Sequence, residues 1–426
     1  MSMDNGGLRK LPGSQRTLTA DETIARALPV ARALGVTRLA DITGLDRVGI
    51  PTWSAIVPKS DDLLSVYNGK GLRHIDAKAG ALMEAIERQT ALRAQLPLIT
   101  GSCEELRQTH QVLHPRELKE TLSSDYADTS TYAWVEGEDL LSHRKVLVPA
   151  SFAGYFWKHL PHPPCFAYSS SNGIAAGNLR EEAICQALCE LIERDAWTLA
   201  ELAAHVLPWV RHRMASPSTL DSAVDDFEIV PSLELDGDPA FELLKQARLT
   251  PVVHDITTDL GIPTVYAAIA DETIPGQPMV HCGLGAHPDA SVAARRALTE
   301  AAQSRCVDIQ GIREDIDPAE RPATRFNLHA RRVRDVNRRQ WHLGHSRVRK
   351  RLEDLPSVAN ADIGEDLEHI LSRMRACGIS QVIVVDFTPP GAPFAVVRAI
   401  VPELEAWSLN KGPLGRRALD YWRSHV

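Results

Sequence analysis

The chain has 426 residues, 44% hydrophobic and 24% charged, enough to bury a large core and too balanced in composition for a disordered chain. Its net charge of −8, from 47 basic and 55 acidic residues, gives no general electrostatic reason to bind nucleic acid. No run of about 18 apolar residues could cross a bilayer, and Met1 to Arg16, polar and Gly-rich without a signal core, reads as a flexible leader on a cytoplasmic protein.

From Thr17 to Leu34, a Thr-x-Asp-Glu start ahead of apolar residues at helical spacing predicts a capped helix that Gly35 stops. Val36 to Pro58 carries short apolar runs broken by Gly44, Gly49 and Pro51, the chemistry of strands and turns. Lys70-Gly71-Leu72 then leads into a helical phrase, Ala81-Leu82-Met83-Glu84-Ala85-Ile86-Glu87-Arg88. Val135 to Pro149 reads as strands with a turn at Glu136-Gly137-Glu138-Asp139. A loop of small residues, Ser169 to Asn178, feeds a second copy of the phrase, Ala187-Leu188-Cys189-Glu190-Leu191-Ile192-Glu193-Arg194. After strand runs between Thr250 and Ile274, a third helix begins near Asp289 and carries a looser echo, Ala297-Leu298-Thr299-Glu300-Ala301-Ala302-Gln303-Ser304. Gln381 to Asp386 and Phe394 to Val401 are the last strands. Repeated strands followed by helices predict an α+β or α/β fold of quasi-repeated units.

The phrases lie 106 and 110 residues apart. In the first two, carboxylates at i and i+3 share one helix face beside the apolar stripe. Taken alone, each is also how a solvated helix face looks. Repetition favours a shared ion site, because acids beside apolar stripes need cations, and Mg²⁺ held with nucleotide phosphates fits two convergent pairs. Asn178, Glu182, Gln186, Glu190 and Glu193 extend the second pair into one polar line along the helix. In the third unit Arg305 and Arg313 suit a phosphate tail, or equally a salt bridge.

Other signatures are weak or absent. Asn68-Gly69-Lys70-Gly71 has a Gly-Lys pair without the rest of a phosphate-binding P-loop, so ATP would need another device. His159 and His162 lack thiol partners for zinc, and no Gly-x-Ser-x-Gly elbow occurs. The seven cysteines contain no CxxC and imply no disulfides. Arg321 to Arg351 holds eleven Arg and Lys against Asp335 alone, which predicts a mobile surface insertion that docks an acidic peptide or partner.

In combination, Gly69-Lys70-Gly71-Leu72, the two Glu phrases, Asn172-Gly173-Ile174-Ala175-Ala176-Gly177-Asn178, Glu182-Ala183 and Val401-Pro402-Glu403-Leu404-Glu405 resemble the YcaO family, from about Thr17 onward. The resemblance implies an α+β, YcaO-like fold around a central nucleotide site, with residues 17–426 forming one catalytic domain that carries the basic insertion at 321–351. It also implies an ATP- and Mg²⁺-dependent enzyme that phosphorylates a peptide backbone amide oxygen and so opens the carbon to a nucleophile. Glu84, Glu87, Glu190 and Glu193 would be the metal ligands. Lys70, Asn178, Glu182, Gln186, Arg194 and Arg313 would bind nucleotide, and Glu190, Glu193 and Arg305 would act in catalysis. The family often has Ser four residues before the first Glu, where this chain has Gly80.

Azoline-forming members often end in a Pro-rich tail, whereas this chain ends Tyr421-Trp422-Arg423-Ser424-His425-Val426, and its opening from Leu39 to Pro51 resembles the branch linked to TfuA-like partners. The expected reaction is therefore thioamide formation in a ribosomally made peptide or protein, with azoline or amidine cyclodehydration as the alternative. A TfuA-like sulfur-delivery or activating protein and a second copy of the chain are the candidate partners. A two-metal phosphoesterase or a nucleotide-binding scaffold is the alternative of another class.

Overall fold

The computed structural model describes residues 8–11, 15–167, 170–215, 225–271, 279–311, 340–410 and 412–425. Helix α1 (Ala20–Ala33) starts as its sequence predicts: the Thr19 hydroxyl accepts the Glu22 N–H at 3.2 Å, and the Glu22 carboxylate accepts the Thr19 N–H at 2.9 Å. Gly35 follows with φ +103°, a conformation glycine adopts without strain. Strands β1 (Arg38–Asp41), β2 (Thr52–Ile56) and β3 (Val66–Lys70) then form an antiparallel sheet, and α2 (His74–Arg93) packs on it.

The middle of the chain supplies β4 (Ile99–Ser102), β5 (Thr131–Asp139), β6 (Arg144–Pro149), β7 (Ile174–Gly177) and α3 (Arg180–Glu201). A π-helical turn joins α3 to α4 (Leu207–Ala215). Next come β8 (Ser232–Glu234), α5 (Pro239–Gln246), β9 (Thr250–Asp255), β10 (Thr264–Asp271), β11 (Met279–Ala286) and α6 (Ala290–Gly311). The last elements are β12 (Arg349–Arg351), α7 (Ile363–Ala376), β13 (Ile383–Asp386), β14 (Ala395–Ile400) and α8 (Arg416–His425). One sheet runs β11-β10-β9-β8-β12, and another runs β4-β5-β13-β14-β7 with β6 paired to β5. Helices and sheets are mixed as the α+β expectation requires. Among the described residues, no helix is long and apolar enough to cross a membrane.

Three strand-to-helix units organise the chain: β3–α2, β7–α3 and β11–α6. In each, a strand glycine lies against helix backbone. A Cβ on Gly69 would stand 2.1 Å from the Ala81 nitrogen, one on Gly177 2.5 Å from the Ala183 nitrogen, and one on Gly283 2.2 Å from the Ala297 carbonyl oxygen. No side chain fits such gaps, so glycine on the strand and alanine on the helix are what allow the close approach. Gly80 belongs to the same contact, because a Cβ there would lie 3.4 Å from the Gly69 Cα.

Four expectations need correction. Glu136 to Asp139 is not a turn: β5 continues to Asp139, and Gly137 is small because a Cβ would meet Ile383 Cγ2 at 2.7 Å. Ile174 to Gly177 is not loop but a fully buried strand at the end of the sheet, paired with β14 through Ala176 and Val396. Within the supposed leader, Lys10 donates to the Ala361 carbonyl at 2.9 Å and binds Asp366 at 2.5 Å, so residues 8–11 are docked on the start of α7. Most of the basic segment falls within 312–339, outside the described residues. Its remainder is structural: Trp341 and His342 are buried, β12 joins a sheet, and Lys350 meets Asp255 at 2.7 Å.

Candidate active site

The three long helices bring their repeated acids to one place through the strands beside them. Glu87 on α2 accepts the Ala176 N–H of β7 at 3.1 Å, and Glu193 on α3 accepts the Ala286 N–H of β11 at 2.9 Å. Glu300 on α6 binds Lys70 at the end of β3 and accepts the Leu284 N–H at 3.4 Å. Each unit thus reaches into a neighbouring one, and the chain of contacts closes.

The electrostatics follow from this convergence. Burial pushes the carboxyls of Glu84, Glu87, Glu190 and Glu193 above the usual range, and the acids reinforce one another: Glu84 and Glu190 raise Glu87, while Glu300 raises Glu84, Glu190 and Glu193. Burial acts on Glu300 in the same sense, but Lys70, Arg194 and Arg296 outweigh it and hold that acid below its ordinary value. Lys70 is paired with Glu300, but the two arginines stand near their acids without pairing tightly. Arg88 is 3.4 Å from Glu87 and 3.8 Å from Glu84, and Arg194 is 3.8 Å from Glu190. Among the described residues, the Nε atoms of Arg88 and Arg194 have no hydrogen-bond partner. Side chains of Glu84, Glu190 and Glu300 keep 37%, 23% and 31% exposure, so the cluster opens onto solvent from deep within protein. Acids that burial and mutual repulsion drive toward protonation, with guanidinium groups close by, form a donor set suited to a divalent cation and phosphates together. Among the described residues, no three His, Cys, Asp or Glu side chains are grouped so as to hold a metal ion by themselves.

A recess of about 330 Å³ of empty space adjoins the cluster, lined by Gln15, Arg16, Glu182, Gln186, His287 and Arg296. Burial, then Arg296 and Lys10, push His287 down to about 3, so it is neutral at pH 7. Glu182 is 2% exposed; it accepts from the Thr17 N–H and hydroxyl, both at 2.7 Å, and from Asn178 N–H and Nδ2 at 2.9 and 3.2 Å. It ties the chain before α1 to the start of α3 and shapes the recess wall.

Glu84, Glu87, Glu190, Glu193, Lys70 and Arg194 therefore stand together, with Gln186 and Glu182 on the adjoining recess and Asn178 bonded to Glu182. Arg305 does not join them. Its Nε binds Asp46 at 3.0 Å and its Nη2 binds Asp271 at 2.9 Å, so it is an internal fastener, as five residues beyond Glu300 turn it about 140° round α6. Arg313 lies outside the described residues. Sequence reasoning left Arg88, Arg296, His287 and Glu300 out of the site. Glu300 had a signal in the third phrase, and Arg88 ends the first; His287 and Arg296 had none.

Three strand–helix units thus gather five acids and their neighbouring cations in one place. Residues 68–405 match the family model described as "YcaO cyclodehydratase, ATP-ad Mg2+-binding", and the chain belongs to the YcaO family, whose members bind ATP and Mg²⁺. An uncharacterised protein of Methanothermobacter thermautotrophicus is 36% identical over 387 residues, which is 89% of this chain and 92% of the relative. An uncharacterised protein in the tfuA 3′ region of Rhizobium leguminosarum bv. trifolii is 33% identical, over 92% of this chain and 88% of its own length. Among solved structures, YcaO from Methanopyrus kandleri, bound with AMPPCP and Mg²⁺, superposes with a TM-score of 0.69 at 24% identity, covering 94% of this chain and 96% of that one.

Proposed function

We propose that the protein uses ATP to phosphorylate a backbone amide oxygen of a ribosomally made peptide or protein, and that sulfur then replaces that oxygen to give a thioamide. The observation that carries the first half is the convergence of Glu84, Glu87, Glu190, Glu193 and Glu300 beside Arg88, Arg194 and Lys70. Mg²⁺, when bound, would bridge phosphate oxygens and offset their charge, and Glu84, Glu87, Glu190 and Glu193 are the residues that would hold it. Gln186, Glu182, Arg16 and Arg296 would position the nucleotide along α3. Arg88, Arg194 and Lys70 would neutralise charge on the transferred phosphoryl group.

An amide resists nucleophiles because its oxygen leaves poorly. In the proposed reaction the carbonyl oxygen attacks the γ-phosphorus and ADP departs. Hydrosulfide adds to the activated carbon, the C–O bond breaks with phosphate as leaving group, and loss of the S–H proton leaves C=S. Sulfur supply is the reason for favouring this branch: a relative that aligns over 92% of the chain is encoded in a tfuA 3′ region, and a TfuA-like protein is the proposed sulfur-delivery or activating partner. Cyclodehydration, with a nucleophile from the peptide itself, is the second reading and is favoured by the wording of the family description.

Mass spectrometry of a candidate peptide incubated with ATP, Mg²⁺ and a sulfide source tests both. Exchange of oxygen for sulfur adds about 16 Da and loss of water removes about 18 Da. A dehydrated product formed without sulfur would remove the thioamide reading. ATP turnover that no peptide stimulates would remove amide activation altogether and favour a phosphoesterase or scaffold.

A further inference from the structure

A second recess, of about 440 Å³ of empty space, lies on the other side of the acid cluster. On α3, Glu182, Gln186 and Cys189 face the first recess, and Leu191 faces the second. At 100° per residue, Glu190 and Arg194 occupy the arc between these two faces. The acids therefore separate two openings, and only the first has been given a ligand above.

The wall of the second recess holds a buried Arg398 and a half-buried Asn172, each with unused hydrogen-bonding capacity. Arg398 on β14 is 1% exposed and makes no ion pair among the described residues; its Nη1 donates to the Ser170 carbonyl at 2.9 Å, and its guanidinium lies 4.8 Å from the Phe152 ring centroid. Among the described residues its Nε has no partner, and neither has Oδ1 of Asn172, which lines the same recess. Burial, opposed by Glu120, Glu190 and Tyr155, brings even this guanidinium down to about 10. A buried guanidinium without a bonded carboxylate is costly to the fold, and a planar donor fork answers best to a planar anion. Lys119 and two acids, Glu120 and Glu405, also line the recess, while the Asn172 carboxamide oxygen can accept an N–H and Leu191, Phe152 and Pro402 offer apolar contact.

Resting on the amide-activation reading, we propose that this recess is a specificity subsite for the peptide substrate, in which Arg398 binds a carboxylate, C-terminal or side-chain, and Asn172 accepts the N–H of the same residue. A peptide anchored there would run past Glu190, with the amide to be activated between the two recesses. The subsite selects acidic or terminal segments of the substrate and plays no part in phosphoryl transfer.

The test is binding to the full chain without nucleotide, so its outcome does not depend on turnover. The probes are N-acetyl-trialanine with a free carboxylate, its C-terminal amide, N-acetyl-Ala-Asp-Ala amide, and acetate. The free acid should bind wild type about tenfold more tightly than its amide, as expected for a charge-assisted hydrogen bond. Arg398→Gln should abolish that preference while melting no lower than wild type, since it removes a buried unpaired charge; Arg398→Lys should keep part of it. Tighter binding of the aspartyl peptide than of the trialanine amide would assign the subsite to side chains as well as termini. Equal binding of acid and amide, a preference that survives Arg398→Gln, or acetate binding as tightly as the peptides would overturn the proposal. If acid selectivity holds and no peptide stimulates ATP turnover, the amide-activation reading fails and the carboxylate site stands.

Discussion

Two stretches of α3, two residues apart, use acids in opposite ways. Glu193 belongs to the cluster of five carboxylates, and burial together with Glu300 raises it despite Arg296, Arg194 and the Ala286 N–H. Asp195, 0% exposed, has its whole valence met: Arg417 on α8 approaches through two nitrogens at 2.9 and 3.1 Å, and the Glu405 N–H donates at 3.0 Å. Glu405 in turn accepts the N–H groups of Gly415 and Ala418, at 2.8 and 3.0 Å, which fixes the last helix. The same residue types thus build a fastener where their bonds are complete, and a site where they are left incomplete. Arg305 belongs with the fasteners through its pairs with Asp46 and Asp271, although its Nη1 makes no hydrogen bond among the described residues. Buried charge alone does not mark function; an acid that burial raises and that no opposite charge fully offsets is the better candidate for it.

The comparison breaks if the two kinds of acid respond alike to substitution. Glu190→Gln, and likewise Glu193→Gln, should lower ATP turnover about 100- to 1,000-fold, the cost of removing one group that stabilises charge in phosphoryl transfer, with no loss of melting temperature. Turnover and thermal denaturation measured on the same sample check both halves, and a folded variant with normal turnover would take that residue out of the site.

Arg417→Ala should do the reverse. It leaves Asp195 as an uncompensated buried charge, at about 3 kcal/mol of stability, seen in chemical denaturation, while turnover well below the melting temperature stays close to wild type. A loss of turnover without a loss of stability would place the C-terminal fastener in the catalytic machinery and undo the contrast. Glu300→Gln is a smaller effect that sharpens it. Glu300 is already held by Lys70, so its loss should reduce turnover about tenfold, equivalent to 1.4 kcal/mol; an unchanged rate would make the third phrase structural.

Much of this was legible because it repeats. The capped start of α1, the three Glu helices and the β13 and β14 strands followed from local periodicity and capping, and the copied phrase marked Glu84, Glu87, Glu190 and Glu193 as acids that come together. What failed depended on distant partners. Gly137 looked like a turn residue, but it makes room for Ile383; Ile174 to Gly177 looked like a loop, but its small side chains fit between β14 and the helices. Arg305 looked like a phosphate ligand until Asp46 and Asp271, 259 and 34 positions away in sequence, were found beside it. Trp341 carried the clearest unused signal, since a large apolar residue inside a basic stretch argues for burial rather than a free surface.

The smallest effect tests the physical origin of the site most directly. Glu87 is the acid pushed furthest upward, by burial first and then by Glu84 and Glu190 against the opposing pull of Arg88. Because its folded carboxyl is raised above the unfolded value of 4.5, the folded state prefers it protonated. Ionised Glu87 therefore opposes folding at pH 7 to 8, and this opposition fades as the pH falls through the folded value and is gone below the unfolded one. Glutamine keeps an oxygen to accept the Ala176 N–H and never ionises. Glu87→Gln should accordingly melt about 1–2 °C higher than wild type near neutral pH, a small shift in a chain of this size, with the advantage shrinking steadily toward pH 4.5. Added Mg²⁺ and a non-hydrolysable ATP analogue should stabilise wild type more than the variant, since the charge that opposes folding is the charge that would meet the cation. A variant that gains stability equally at every pH would show that packing, not crowded negative charge, sets the energetics of this cluster.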